Sequence, residues 1–253
     1  MENKDLQKVY ENVYSKGKEN FFTFDTLDIT AKVINEIDWT DLSVLEIGCG
    51  IGDTAAAIAN AGASSVVACD YSTSAIETAN QKYSLRNLNF FVSSIEDTKG
   101  VYDCIVMQEV IEHTDNPLST IEFLSKHLNP GGHLILTCPS FLNIRGYVWM
   151  TLLTLFDVPM SLTDKHFISP FDMQMWADIS GLSLTWSTFR HKQAVGEGMV
   201  FDMRKRLTNA LQDAQMDNSK VEKLLTWLSK ASEFEPASKS NGAKALYHFR
   251  KPQ

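Results

Sequence analysis

Val44-Leu45-Glu46-Ile47-Gly48-Cys49-Gly50-Ile51-Gly52-Asp53-Thr54 runs from an apolar stretch through three glycines at alternate positions into the alanine-rich segment 55–59. This order reads as a buried strand, a tight turn and a helix, the place where open α/β sheets bind their ligands. Without a Cβ, Gly48, Gly50 and Gly52 give the turn backbone angles and a closeness of approach that other residues lack. Dinucleotide-binding proteins use G-x-G-x-x-G at the same point, with the helix dipole facing a pyrophosphate. Here Asp53 stands where that motif has its last glycine, and Glu46 lies in the strand before. Two acids suit a cationic ligand without phosphate and would repel a pyrophosphate.

Outward from this turn, short runs rich in Val, Ile and Leu alternate with helix-period segments from Ser43 to Arg190, the pattern of a parallel sheet covered on both faces. Strands are expected at Ser43–Ile47, Ser65–Cys69, Leu88–Val92, Asp103–Met107 and His133–Cys138. Ser72 suits an N-cap, and Asn129-Pro130-Gly131-Gly132 punctuates the passage from a helix over Pro117–Leu128 into the fifth strand. A first insertion, 139–169, precedes a helix near Pro170–Ser180 and a sixth strand near Leu182–Phe189. A second, 197–235, reads as two helices joined around Met216–Ser219, and the last strand falls at Lys244–Arg250. The second insertion packs over the sheet edge or mediates self-association. Its Arg204, Lys205, Arg206, Glu222 and Lys223 read as a solvated helix face.

Asp70 ends the second strand in Val66-Val67-Ala68-Cys69-Asp70-Tyr71-Ser72. A carboxylate there accepts hydrogen bonds from both hydroxyls of a ribose, in a nucleoside or a dinucleotide alike.

The 253 residues suffice for one large α/β domain, and 44% hydrophobic with 21% charged residues is ordinary globular composition. A net charge of −8 disfavours a phosphate backbone as partner, so no nucleic acid is expected. The polar, mixed-charge start of the sequence lacks the features of a signal or transit peptide, which points to the cytoplasm. Cys49, Cys69, Cys104 and Cys138 show neither disulfide nor zinc spacing and read as reduced core residues. The apolar run Tyr147–Met160 is shorter than a membrane span and is interrupted by Asp157 and Pro159, which leaves peripheral membrane contact as the only membrane expectation.

Leu45–Gly52, Val66–Ser72, Tyr102–His113 and Leu128–Ser140, in that order, resemble the class I S-adenosylmethionine-dependent methyltransferase family over roughly Leu42 to Leu182. The resemblance implies a Rossmann-like, doubly wound α/β sheet of seven mostly parallel strands with the last antiparallel, in one domain spanning 1–253 with the two helical insertions. It implies S-adenosylmethionine as cofactor and S-adenosylhomocysteine as product. The turn of Glu46, Gly48, Cys49, Gly50 and Gly52 would meet the methionine moiety, Asp70 and Tyr71 the ribose, and Ser94, Ile95 and Glu96 the adenine. Ser94 stands where the family often has an acid, and Glu96, Asp97 or a backbone carbonyl would then substitute. Met107 and Gln108 would line the sulfonium region. Residues 1–41 would form a helical lid that closes with Tyr10 and Tyr14, although aromatic residues at helical spacing are more often core.

Glu109-Val110-Ile111-Glu112-His113 resembles the methyltransferases of ubiquinone biosynthesis, which methylate a phenolic hydroxyl, and Tyr147–Met160 and Lys165–Pro170 resemble later segments of that family. The resemblance implies a small hydrophobic or aromatic acceptor with a pocket in 139–169; Phe141, Tyr147, Trp149, Leu152, Leu155 and Phe156 suit it, or equally a homodimer contact. Glu109, Glu112 and His113 would share a helix face able to hold a divalent metal. The same string resembles metal-dependent small-RNA 3′-end methyltransferases. A metal-free reading, with Glu112 and His113 pairing to the turn before Asn116, stands beside it. His166, ahead of His113, is the candidate base for a hydroxyl proton, because imidazole titrates near neutral pH. Small-molecule N-methylation, a dinucleotide-dependent oxidoreductase and a catalytically silent cofactor-binding partner are the competing functions.

Overall fold

The computed structural model describes Lys8, Glu11 and residues 27–158, 164–189, 196–234 and 238–253. A helix α1 (Leu27–Ile34) leads to β1 (Ser43–Ile47), α2 (Asp53–Asn60), β2 (Ser65–Asp70), α3 (Thr73–Lys82), β3 (Leu88–Val92), β4 (Tyr102–Gln108), α4 (Pro117–Lys126) and β5 (Leu128–Pro139). Then follow α5 (Ile144–Phe156), α6 (Pro170–Ser180), β6 (Ser183–Phe189), α7 (Gly196–Asp213), α8 (Val221–Ser232) and β7 (Lys244–Arg250). The strands form one sheet in the order β3-β2-β1-β4-β5-β7-β6. β1 through β5 are paired in parallel. At the far end, Ser183 at the start of β6 hydrogen-bonds the carbonyl of Arg250 at the end of β7. Phe189 at the end of β6 lies against Gly242, just before β7, so these two strands run in opposite directions.

Chain contacts divide the protein into two units, one of Met1–Cys138, Phe171–Thr185 and Leu246–Gln253, the other of Pro139–Pro170 and Trp186–Ala245. In the first, the centre of the sheet is dry: Val44, Cys104, Ile105, Val106, Met107, Leu134, Ile135 and Leu136 are fully buried. The small residues Ala55, Ala56 and Ala59 of α2 are buried too. Truncating a core side chain such as Ile105 to Ala costs about 2–5 kcal/mol, because neighbours fill only part of the space left. In the second unit, Phe141 ahead of α5 and Trp149, Met199, Met203, Leu207, Leu225 and Leu228 on α5, α7 and α8 build a separate core.

Local capping fixes where helices begin. Ser72 Oγ accepts from Ala75 N–H at 3.2 Å, as its residue type anticipates. Asn116 caps α4 through Ser119 N–H at 3.0 Å, with Pro117 in the first turn.

Helix α4 ends at Lys126, earlier than expected, and β5 begins at Leu128, so Asn129-Pro130-Gly131-Gly132 belongs to the strand instead of preceding it. The register moves from Tyr102↔Leu128 to Cys104↔His133, and the extra β5 residues bulge there. A side chain at Gly132 would stand 2.8 Å from the Asn129 carbonyl, and the Asn129 amide donates to Asp103 at 2.7 Å. Proline and glycine thus shape an irregular strand start. Among the described residues, no helix is long and apolar enough to cross a membrane.

Candidate cofactor and active site

Register aligns the site. Ile47 lies beside Cys69 on one side and Met107 on the other, and Asp70 lies beside Val92. The carboxyl ends of β1, β2, β3 and β4 therefore open along one edge, and the strand order reverses between β1 and β4, where ligands of such sheets bind.

The glycine turn sits at that point, with Gly48, Gly50 and Gly52 at φ of 72°, 52° and 84°. It is stitched to β2: Gly48 and Cys49 N–H donate to the Cys69 carbonyl at 2.8 and 3.0 Å, and Gly50 N–H donates to Asp70 Oδ2 at 2.9 Å. The bare positions also have protein reasons. A Cβ on Gly48 would lie 2.4 Å from Val110 Cγ2, and one on Gly52 2.5 Å from Phe90 Cζ.

Glu46 is 2% exposed. Its carboxylate accepts from the N–H of Ala55 in the first turn of α2, whose N-cap Gly52 offers no side chain, so a strand residue supplies the missing cap. Its other oxygen, Oε2, is buried with no hydrogen-bond partner among the described residues. Burial above all, with the charges of Asp53 and Asp70 adding to it, pushes the Glu46 carboxyl up to about 8.

Asp70 is also buried, and burial raises its carboxyl although Ser72 and Gly50 N–H donate to it. Each of its oxygens has already accepted one backbone proton, Oδ1 from Ser72 at 2.9 Å and Oδ2 from Gly50. Tyr71 N–H also acts on this carboxylate, and its four lone pairs still leave capacity for a ligand hydroxyl. Burial and Asp70 likewise raise the half-buried Tyr71. Asp53 is not a bare charge: it meets Lys82 Nζ at 2.5 Å and accepts from Tyr83 Oη at 2.7 Å.

Ser94 follows β3 and donates to Asp97 Oδ2 at 2.9 Å; Ile95–Asp97 is a single 3-10 turn on which Glu96 and Asp97 are exposed. Gln108 accepts from Thr54 Oγ1 at 2.7 Å, and Thr54 and Thr30 hydroxyls meet at 2.8 Å. The Met107 side chain, expected to line the sulfonium region, is fully buried, because strand alternation turns it into the core while Gln108 faces the turn. Tyr10 and Tyr14 lie outside the described residues.

Two contributors escaped the sequence. Thr30 joins α1 to α2 and β4 through Thr54. Glu11, a helical residue, accepts from Ser72 Oγ at 2.6 Å and from the hydroxyl and N–H of Ser74, which hold its carboxyl below the usual range. Both are contacts between positions distant in the chain, for which periodicity holds no signal.

The Glu109–His113 segment departs from the helix expected of it. Glu109 takes a left-handed backbone at φ 57°, and only Ile111–His113 forms a 3-10 turn. Glu109 therefore shares no helix face with Glu112 and His113. The turn is anchored where Glu109 N–H donates to the Thr137 carbonyl at 2.9 Å. Glu112 is buried and His113 half-buried. His166, half-buried, belongs to the second unit, and His113 to the first.

A sheet of this order with a glycine turn and two buried acids at its reversal defines the class I S-adenosylmethionine-dependent methyltransferase fold. A family model described as a methyltransferase domain matches residues 20–218, and the chain belongs to that family. It is 29% identical over 162 residues to the mitochondrial ubiquinone biosynthesis O-methyltransferase of Dictyostelium discoideum, covering 57% of this chain and 50% of that protein. It is 31% identical over 151 residues to the ubiquinone biosynthesis O-methyltransferase of Vibrio parahaemolyticus, covering 55% of this chain and 63% of that one. The matches thus span between half and two thirds of these relatives. Magnesium protoporphyrin IX methyltransferase from Synechocystis PCC 6803, solved with bound S-adenosylhomocysteine, shares the fold at a TM-score of 0.55 and 14% identity, over 98% of this chain and 86% of that one.

Proposed function

We propose that the chain is an S-adenosylmethionine-dependent methyltransferase that methylates a hydroxyl of a small hydrophobic or aromatic metabolite in the cytoplasm. The observation that carries this reading is Glu46 Oε2, an oxygen buried without a partner among the described residues, beside a turn of left-handed glycines. A buried acceptor left unpaired costs about 1–3 kcal/mol, and a cationic ligand group would recover it. S-adenosylmethionine, when bound, supplies a methyl group on a positively charged sulfur. Glu46 answers the cofactor's positive charge, Asp70 accepts from the ribose hydroxyls beside Tyr71, and Ser94, Ile95 and Glu96 border the adenine. Gln108, held by Thr54, faces the reacting end.

In-line displacement asks the protein mainly for alignment. A neutral hydroxyl acceptor must also lose its proton, and His166 is the base we favour, ahead of His113. The 29–31% identity to enzymes named as O-methyltransferases supports oxygen over nitrogen as acceptor. Full turnover in the presence of a chelator would uphold the metal-free form of this reading; its loss would favour an ion at the Glu112–His113 turn.

The test is calorimetry with S-adenosylhomocysteine, followed by turnover of labelled donor against hydroxylated aromatic acceptors. Absence of heat removes the whole proposal. His166→Ala is expected to keep S-adenosylhomocysteine affinity and to slow methyl transfer by about 10²–10⁴-fold, the usual contribution of a general base. Unchanged turnover would remove His166 from the mechanism.

A further inference from the structure

Ser72 makes three polar contacts at once. Its N–H donates to Asp70 Oδ1 at 2.9 Å, its Oγ accepts from Ala75 N–H at 3.2 Å to cap α3, and its hydroxyl donates to Glu11 Oε2 at 2.6 Å. A serine N-cap uses only an oxygen lone pair, which leaves the hydroxyl proton over. Ser72 is fully buried, so that proton needs an acceptor from the protein. Glu11 supplies it from 61 positions away in the chain.

The other oxygen of Glu11, Oε1, accepts from Ser74 N–H at 3.3 Å and from the Ser74 hydroxyl. The carboxylate thus spans two serines at the start of α3, where the helix dipole favours a negative charge. That much would serve as a tether. Two features exceed what a tether needs. Only Ser72 separates Glu11 from Asp70, and its N–H is one of the donors that fix the Asp70 oxygens. Glu11 also brings a like charge close to Asp70, which adds to burial in raising that carboxyl. A carboxylate raised in this way attracts hydroxyl protons more strongly.

We propose that Glu11 is a positioning residue for the cofactor's nucleoside: by taking the Ser72 hydroxyl it fixes Ser72, and through it the Asp70 carboxylate, in the geometry that the ribose hydroxyls meet. Docking of Glu11 and binding of the cofactor then support each other, because coupling between two binding events is reciprocal. The inference rests on the proposed function for the ligand of Asp70. It extends that reading to a residue that does not itself contact the ligand.

The experiment is calorimetry with S-adenosylhomocysteine on the full chain, comparing the parent, Glu11→Ala, Asp70→Asn and the double variant, with melting temperature followed for each. Glu11→Ala is expected to weaken binding by about fivefold in the parent and by less than about twofold once Asp70 is Asn, since residues that act through one another do not add. Glu11→Gln keeps an acceptor for Ser72 while giving up the charge, and is expected to recover part of the loss. Equal weakening by Glu11→Ala in both backgrounds would make Glu11 a tether of the fold alone and overturns the proposal. So does a lower melting temperature in Glu11→Ala with unchanged affinity. Heat from the parent and full affinity in Glu11→Ala sink this inference by itself, whereas no heat from the parent sinks the proposed function as well.

Discussion

Glu46 and Asp202 are both carboxylates held largely away from water, and the two units treat them in opposite ways. Asp202 has two guanidiniums in contact, although its meeting with Arg145 is a charge contact more than a well-aligned hydrogen bond. Glu46 has one backbone N–H, two other acids nearby and an oxygen with no partner, so its carboxyl rises to about 8. The difference teaches where to look for ligands. A carboxylate whose charge is answered within the chain holds helices together; one left unanswered is poised for a cation from outside.

The sharpest break of this comparison is Asp202→Ala. It removes the carboxylate in contact with both guanidiniums, leaving only the more distant charge of Asp164 near Arg145, and loss of one member of a buried pair costs up to about 3–5 kcal/mol; the partial exposure of Arg206 puts the expectation near the lower end. Urea denaturation measures it, and a loss under about 1 kcal/mol would mean that the guanidiniums are solvated well enough to stand alone.

Next comes Asp70→Ala, expected to weaken S-adenosylhomocysteine binding by about 1.5–3 kcal/mol, the range for charge-assisted hydrogen bonds. Calorimetry that finds equal affinity would take Asp70 out of the site.

Glu46→Gln should act with the opposite sign to Asp202→Ala. The Glu46 carboxyl lies at about 8 in the folded chain against 4.5 for an ordinary glutamate. Between those values the native state holds a proton that the unfolded state has released, so stability falls as pH rises through this window. The amide cannot ionise. The variant is expected to be more stable near pH 7, by on the order of 2 kcal/mol, to lose that part of the pH slope, and to bind S-adenosylhomocysteine more weakly. Cofactor binding to the parent should release up to one proton near pH 7, read as a dependence of binding heat on buffer ionisation. A parent whose stability is flat from pH 5 to 8 would contradict the buried neutral acid.

The smallest effect belongs to Arg204→Ala. Arg204 pairs with Glu222 at 2.7 Å on an exposed face between α7 and α8, and water screens such a pair. No resolvable change in melting temperature is expected; a measurable drop would show that surface charge matters more to the second unit than its apolar core.

Much of the sheet was legible in the order of residues. The first four strands, the β1–α2 turn, the sixth and seventh strands and the helix at Pro170–Ser180 fall close to where period and punctuation put them. Glu46 and Asp70 were singled out from spacing alone, and both are buried acids at the strand ends. The misreadings share one cause. Asn129-Pro130-Gly131-Gly132 has the composition of a turn, yet pairing with β4 draws it into a strand. Glu109–His113 has helical spacing, yet its link to Thr137 holds Glu109 in a left-handed backbone and leaves one 3-10 turn. In each case a neighbour distant in the chain overrode a local preference worth less than about 1 kcal/mol per residue.

Residue order by itself determined the α/β class and the two acids, because strand and helix periods and glycine's freedom are local properties that a single segment carries in full; the family came from the resemblance of its motifs. Tertiary structure decided what those residues experience. Only burial against α2 turns Glu46 into a helix cap with an unpaired oxygen; only the meeting of α5 and α7 puts two guanidiniums on one indole. Desolvation and partner choice depend on everything packed around a group, which no short stretch of sequence contains.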